Sequence, residues 1–445
     1  MIIVRQAYSI TIVGAGSSRT PALVGSIVDY KERFPLKQVV FFDINNDRMS
    51  KMDDYIRLVL AQEMPDTEVI FTTDKAVAYQ QADAVLVQMR AGDTHMRSLD
   101  EKIPLQFGLV GQETCGPGGF AYGMRSIGAM VEMVNDIRAV NEDAWILNYT
   151  NPAAIVALAL HKIFPNDKRL LNLCDQPYSM MRSYAKILDV PQETLRATYF
   201  GLNHFGWFTD IYDTDENSHF DVLKAFLKDN EFKPYNAEQR SASWLETYKR
   251  VNKYLQFFPE YLPNTYLQYY FFPEEIVAES NPTYTRADEA KDSREKEVFE
   301  LCAQAVGRDT LGDLEILTGS VFGNLMIEIA ESILHDLNNE FVIMVPNDGL
   351  IPNFPQEAIV ELAGRLGSNG PVCKPYGDIK PFYKGLMEGQ YAYELLTVES
   401  WIERDYTKAL QALTLNRSIV DPQKAKAVLD ALMEVNKPYW TLEIK

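Results

Sequence analysis

The sequence predicts an α/β protein. A Rossmann-like, doubly wound parallel sheet is expected over residues 1–200, followed by a mainly helical α+β domain over residues 201–445. Three observations carry this reading. A β-branched apolar run at 9–13 ends in a glycine loop that opens a helix. Strand-like and amphipathic helical segments then alternate up to about residue 200, the pattern of a parallel sheet with crossover helices. Beyond that point helical periodicity dominates, and aromatic residues thicken from Tyr261 to Phe272.

The first strand, 9–13, runs into Gly14-Ala15-Gly16-Ser17-Ser18-Arg19-Thr20-Pro21, where Pro21 suits the first turn of a helix. A second strand, 38–42, ends at Asp43. Further strands are expected at 68–72, 84–88, 144–147 and 170–173, separated by helices that include 47–63 and 124–141. The second half reads as helices at 237–254, 286–306 and 398–415. No Gly/Ser linker, repeat or low-complexity tract marks the soft boundary near residue 200. The second half is therefore expected to pack tightly on the first and close a shared pocket.

A chain of 445 residues with 47% hydrophobic and 24% charged residues is long enough for two substructures with substantial cores. The net charge of -19 argues against nucleic acid, which demands a basic stripe, and against an anionic membrane surface. An anionic substrate stays open if a few arginines focus positive charge locally; Arg90, Arg97, Arg125 and Arg286 are the candidates. Cys115, Cys174, Cys302 and Cys373 form no close pair, which predicts reduced thiols and a cytoplasmic protein. Residues 1–6 show no apolar core followed by a cleavage site. The longest markedly apolar run, 152–160, falls far short of the roughly 20 residues that span a bilayer.

Glycines after a first strand allow a tight turn and close approach of backbone to a pyrophosphate, with the following helix N-terminus facing the phosphates. Gly14, Gly16, Ser17 and Ser18 are the expected contacts, although Arg19 replaces the usual third glycine. A carboxylate at Asp43 accepts from ribose hydroxyls and repels a 2′-phosphate, so NAD is expected over NADP. Cys174 falls just past a predicted strand, where open α/β sheets place ligands, and His204 lies in a glycine-bracketed turn. Thiolate and imidazole suit a divalent transition metal. Two protein ligands would leave positions for substrate oxygens and water, unlike a structural zinc site. A lone Cys is nevertheless most often buried structure. The glycine-dense stretch 108–119 reads as a mobile connection or as a lid with Glu113 pointing inward, and Asn151 is placed to bond a substrate hydroxyl. From the residues alone, a plain NAD-dependent hydroxy-acid dehydrogenase on a lactate/malate-like fold remains an alternative, as does a silent NAD-dependent sensor.

Taken together, Gly14-Ala15-Gly16-Ser17-Ser18-Arg19-Thr20-Pro21, Val110-Gly111-Gln112-Glu113-Thr114-Cys115, Asn148-Tyr149-Thr150-Asn151-Pro152, Cys174-Asp175-Gln176-Pro177, Gly201-Leu202-Asn203-His204-Phe205-Gly206-Trp207 and Thr285-Arg286-Ala287 resemble glycoside hydrolase family 4 over nearly the whole chain. The resemblance implies NAD and Mn²⁺ as cofactors, a family 4 C-terminal domain, and a homodimer or homotetramer. It implies Cys174 and His204 as metal ligands and Asp175 as the acid that protonates the leaving oxygen. Tyr266 would be the base at sugar C2, its basicity raised by Glu113, although the sequence alone does not choose it over Tyr261, Tyr269 or Tyr270. Arg97, Asn151 and Arg286 would bind substrate, with Arg97 clamping a phosphate. Oxidation at C3, loss of the C2 proton, elimination, water addition and re-reduction would follow, with no net use of NAD. An Asp after the metal Cys looks like the pattern for α-linked disaccharide 6-phosphates such as maltose 6′-phosphate. A 6-phospho-β-glucosidase or an α-galactosidase of the same family is the alternative.

Overall fold

The computed structural model describes residues 6–444, the side chain of residue 239 excepted. The expectation of no leader in residues 1–6 thus falls, Gln6 apart, outside the described residues.

Six strands form the first sheet: β1 (Tyr8–Val13), β2 (Leu36–Phe42), β3 (Glu68–Thr72), β4 (Ala84–Val87), β5 (Trp145–Asn148) and β6 (Leu170–Asn172). Their order is β3-β2-β1-β4-β5-β6 and every neighbouring pair is parallel. Because side chains alternate across a strand, each central strand feeds two cores. Ala84 and Leu86 of β4 and Leu147 of β5 face the larger cluster. Val85, Val87 and Ile146 face a second one that includes Met130, Val134 and Ile137. Both faces are covered, as parallel sheets require. The strand order reverses between β1 and β4, which opens a crevice at their carboxyl ends.

The second sheet contains β7 (Leu195–Leu202), β8 (Phe205–Asp213), β9 (Leu262–Pro263), β10 (Asn339–Pro346), β11 (Ile359–Gly367) and β12 (Gly370–Cys373). It is antiparallel in the order β10-β11-β7-β8-β9, with β12 on β11. The helical reading of this half did not foresee these strands, and β7 begins before residue 200. The β7–β8 hairpin is closed by Asn203 and His204. Gly201 pairs with Gly206 so closely that a Cβ on Gly201 would fall 2.2 Å from the Gly206 Cα.

Three predicted helices are interrupted. The stretch 237–254 breaks into Ala237–Gln239, Ala242–Leu245 and Val251–Phe257, because Arg240 and Ser241 adopt extended backbone. This lets Trp244 pack on Tyr248 and Tyr248 on Phe232. The stretch 398–415 is two helices, Pro381–Glu403 and Tyr406–Leu415, divided where Arg404 enters the left-handed region and Asp405 caps the second by accepting from Lys408 N–H. The stretch 286–306 is Arg286–Ala290 and Lys296–Ala303 joined by a π-helical turn, Lys291–Glu295. Conversely, the helix expected at 124–141 begins at Gly116, so Gly116, Gly118 and Gly119 form its buried first turns. Val110 and Cys115 are buried as well, while Glu113 and Thr114 of the same stretch line the cleft, so Glu113 points inward. Among the described residues no helix is long and apolar enough to cross a membrane.

Candidate active site

A cleft of about 1120 Å³ runs along the carboxyl edge of the first sheet, from the glycine loop to the β7–β8 hairpin. At the loop end Gly14 has φ +82°, and a Cβ there would meet the Met89 backbone at 2.9 Å. Asp43 ties the loop to the end of β2. Its Oδ2 accepts from Gly16 N–H at 2.7 Å and its Oδ1 from Asn45 N–H at 2.8 Å. Ser17 Oγ accepts from Arg19 N–H, Ser18 is buried, and the Arg19 guanidinium lies 5.2 Å from the Phe322 ring centre. The strand, open loop, acidic strand end and helix start fit a dinucleotide.

At the other end Cys174 Sγ and His204 Nε2 are 3.4 Å apart. His204 stands in the left-handed region at φ +61°, strain of the kind that concentrates at functional sites. Its Nδ1 is 3.1 Å from Thr114 Oγ1. The Thr114 hydroxyl donates its single proton to Gln112 Oε1 (3.1 Å), so it accepts from His204 Nδ1–H. That tautomer leaves the Nε2 lone pair facing Cys174. Burial pushes His204 down to about 4, which keeps the ring neutral, as a metal ligand must be. Burial, then Glu361 and Asp175, hold the Cys174 thiol well above its ordinary value, a balance that a bound cation would reverse. Among the described residues no third His, Cys, Asp or Glu completes a cluster with them. The donor set therefore fits a soft-to-borderline divalent metal that completes its shell with non-protein oxygens.

Tyr266 stacks on His204, with ring centres 3.9 Å apart and planes at 19°. Asn264 fixes its backbone by accepting from Tyr266 N–H. Burial raises the Tyr266 hydroxyl far above its usual range; Arg286 opposes this, while Tyr269, Glu113 and Cys115 add to it. Asp175 precedes the helix Gln176–Leu188 and lines the cleft with Tyr149, whose hydroxyl burial and then Asp175 hold well above its ordinary value. Asn151 lines the same cleft.

Glu113 is bonded to Arg90 and lies 3.1 Å from Arg97 Nη2. Burial would raise its pKa, but Arg90, Arg97 and Arg286 outweigh this and keep it a carboxylate. Among the described residues it makes no hydrogen bond to Tyr266, so it reaches that ring only through space. Arg97 is itself buried and gives its Nε to Glu101 at 2.8 Å. Arg125 is committed to Asp100 and Asn436 and is no anion clamp. Arg286 opens a helix held by the Thr285–Asp288 capping box and has no carboxylate partner among the described residues.

Four supporting residues escaped the sequence reading. Gln112 and Thr114 back His204. Glu361, on β11, is buried and lifted by that burial to about 7; it accepts from Asn203 Nδ2 at 2.8 Å and from Tyr199. Arg294 lines the cleft from the π-helical turn. Only the polar character of Gln112 and Thr114, beside Glu113, was visible as a signal.

A nucleotide-type crevice that also holds a Cys–His pair and buried proton-transfer groups has the constitution of a cofactor-assisted enzyme. The chain belongs to the family 4 glycosyl hydrolases. The family model matches residues 9–190, and the model of the family's C-terminal domain matches residues 199–419. The chain is 43% identical to the phospho-alpha-glucosidase PagL of Clostridium acetobutylicum, covering 97% of this chain and 98% of the relative. It is 41% identical to the maltose-6′-phosphate glucosidase MalH of the same organism, again covering 97% and 98%. A crystal structure of a 6-phospho-alpha-glucosidase from gut microorganisms in complex with NAD and Mn²⁺ superimposes with a TM-score of 0.96. It is 44% identical and covers 98% of this chain and 100% of that one.

Proposed function

We propose that this chain is a 6-phospho-α-glucosidase that hydrolyses α-linked disaccharide 6-phosphates such as maltose 6′-phosphate with NAD and Mn²⁺. The observation that carries the reading is the convergence of Cys174, His204, stacked Tyr266 and Asp175 in one cleft with Arg286, which has no carboxylate partner among the described residues. The named activities and the bound cofactors of the relatives support it. Residues 1–200 would hold NAD, through Gly14, Gly16, Ser17, Ser18 and Asp43, and residues 201–445 would shape the substrate side. Cys174 and His204 would hold the metal. When bound, NAD supplies a reversible hydride acceptor and the metal a Lewis acid.

The chain's own groups then divide the proton work. Tyr266 takes the proton from sugar C2, with Arg286 supplying the positive charge that favours its phenolate. Asp175 gives a proton to the departing glycosidic oxygen, which an amide there cannot do. Glu113 stays ionised between Arg90 and Arg97 and fixes both guanidinium groups. Asn151 and Arg286 bind the sugar, and Arg97 completes that wall. Its free thiols and sugar-phosphate substrate fit a cytoplasmic enzyme, and the reading extends to a homodimer or homotetramer.

The test is hydrolysis of p-nitrophenyl α-D-glucopyranoside 6-phosphate, with and without NAD, Mn²⁺ and reductant, beside its β-anomer and its unphosphorylated parent. Release from the α-phosphate alone, dependent on NAD and metal with no net NADH, is expected. Release only from another member would change the substrate. Release from none, with NADH accumulating on a hydroxy acid, would replace the reading.

A further inference from the structure

We propose that Arg240 and Trp244 form the subsite for the leaving sugar, with Arg240 donating to its hydroxyls and Trp244 holding the guanidinium in place. This inference rests on the phosphoglucosidase reading above and names the residues that recognise the group expelled.

Arg240 stands at the break that divides the helix expected at 237–254, and both residues line the cleft. Its Nε donates to Asn236 Oδ1 at 3.0 Å, and its guanidinium carbon lies 4.2 Å from the Trp244 ring centre. Among the described residues its Nη1 and Nη2 donate no hydrogen bond, and Arg240 forms no ion pair. One nitrogen and one face are thus committed, and the outer fork is left for a ligand. A guanidinium laid on an aromatic ring is already ordered, so it loses less freedom for each hydrogen bond it forms.

The position of the pair identifies its ligand. Trp244 packs on Tyr248 with ring centres 4.9 Å apart, and the Tyr248 hydroxyl lies 3.2 Å from Ser179 Oγ. Ser179 belongs to the first turn of Gln176–Leu188, and its N–H donates to Asp175 O at 2.8 Å. Arg240 and Trp244 are therefore braced against the turn that carries the proposed acid. Asp175 must reach the glycosidic oxygen while Tyr266 reaches C2 of the ring being cleaved. The sugar beyond that oxygen then extends past Asp175, away from Tyr266. Gln176, Arg240 and Trp244 line the cleft on the Asp175 side. A neutral ring that is apolar on its faces and hydroxylated at its rim suits an indole beside a free guanidinium fork, since pockets pair aromatic walls with a few placed polar groups.

The experiment compares kcat/KM for maltose 6′-phosphate with that for methyl α-D-glucopyranoside 6-phosphate in the NAD- and Mn²⁺-loaded protein, for wild type, Arg240→Gln, Arg240→Lys and Trp244→Leu. Both leaving groups are alcohols and both call on Asp175, but methanol carries no second ring. The ratio of the two values within one variant does not depend on how much of that variant folds. Arg240→Gln should lower the ratio roughly 10- to 100-fold, the loss of hydrogen bonds from a charged donor. Arg240→Lys should fall between, and Trp244→Leu should lower the ratio in the same direction. An unchanged ratio in Arg240→Gln would overturn the proposal, including the case where both substrates lose equally, which would give Arg240 to the phosphorylated ring they share. Failure of the parent reading looks different: wild type itself would turn over neither substrate, which would remove both.

Discussion

Replacing Thr114 by Val tests how the metal pair is prepared. The two side chains have similar shape, and the Thr114 N–H bond to Gln112 Oε1 would persist. Only the hydroxyl that accepts from His204 Nδ1–H at 3.1 Å is lost. His204 is 7% exposed, so water cannot readily take its place. An unsatisfied buried N–H costs about 1–3 kcal/mol. The ring escapes that cost by moving its proton to Nε2, which removes the lone pair facing Cys174. Either outcome falls on metal binding, where loss of such a supporting bond typically costs 10- to 100-fold. Titration with Mn²⁺ read by electron paramagnetic resonance of the free ion should show that weakening in Thr114→Val, whereas Thr114→Ser should bind nearly as wild type. Unchanged Mn²⁺ affinity in Thr114→Val would refute the tautomer argument.

Asp175→Asn should lose activity on substrates with poor leaving groups and keep part of it on p-nitrophenyl substrates; steady-state rates on both decide, and equal loss would count against an acid role. Glu394, bonded to Gln390 and lifted to about 8 by burial, is protonated in the folded chain at neutral pH. A raised folded value stabilises below the unfolded value near 4.5 and is lost as pH rises through about 8. Relative to Glu394→Gln, wild-type stability should therefore decline across that window by at most about 1.4 kcal/mol per pH unit, read from urea midpoints. Parallel pH profiles would show that the burial costs nothing.

The first sheet is legible because its parallel strands are mostly short apolar runs, the first two followed by Gly14 and Asp43, and the crossovers have helical period. The second sheet is not. Phe205-Gly206-Trp207-Phe208 at the start of β8 is buried on both faces, so the alternation that marks an antiparallel strand is missing. The break at Arg404 is hidden because no Gly or Pro marks it, and Glu399 and Glu403 keep helical spacing while both pair with Lys408 across it. Cys174 and His204 show themselves through their neighbours in sequence. Glu361 does not, since its partner Asn203 is 158 positions away. Tyr266 is distinguished from Tyr269 and Tyr270 only when the fold lays it on His204.

In the proposed mechanism Tyr266 takes a proton from C2, a step absent from direct displacement at the anomeric carbon. Hydrolysis of maltose 6′-phosphate in D₂O, followed by NMR of the released glucose 6-phosphate, tests it most directly. Deuterium at C2 of the product is expected in wild type. A product that keeps its original C2 proton throughout turnover would contradict it.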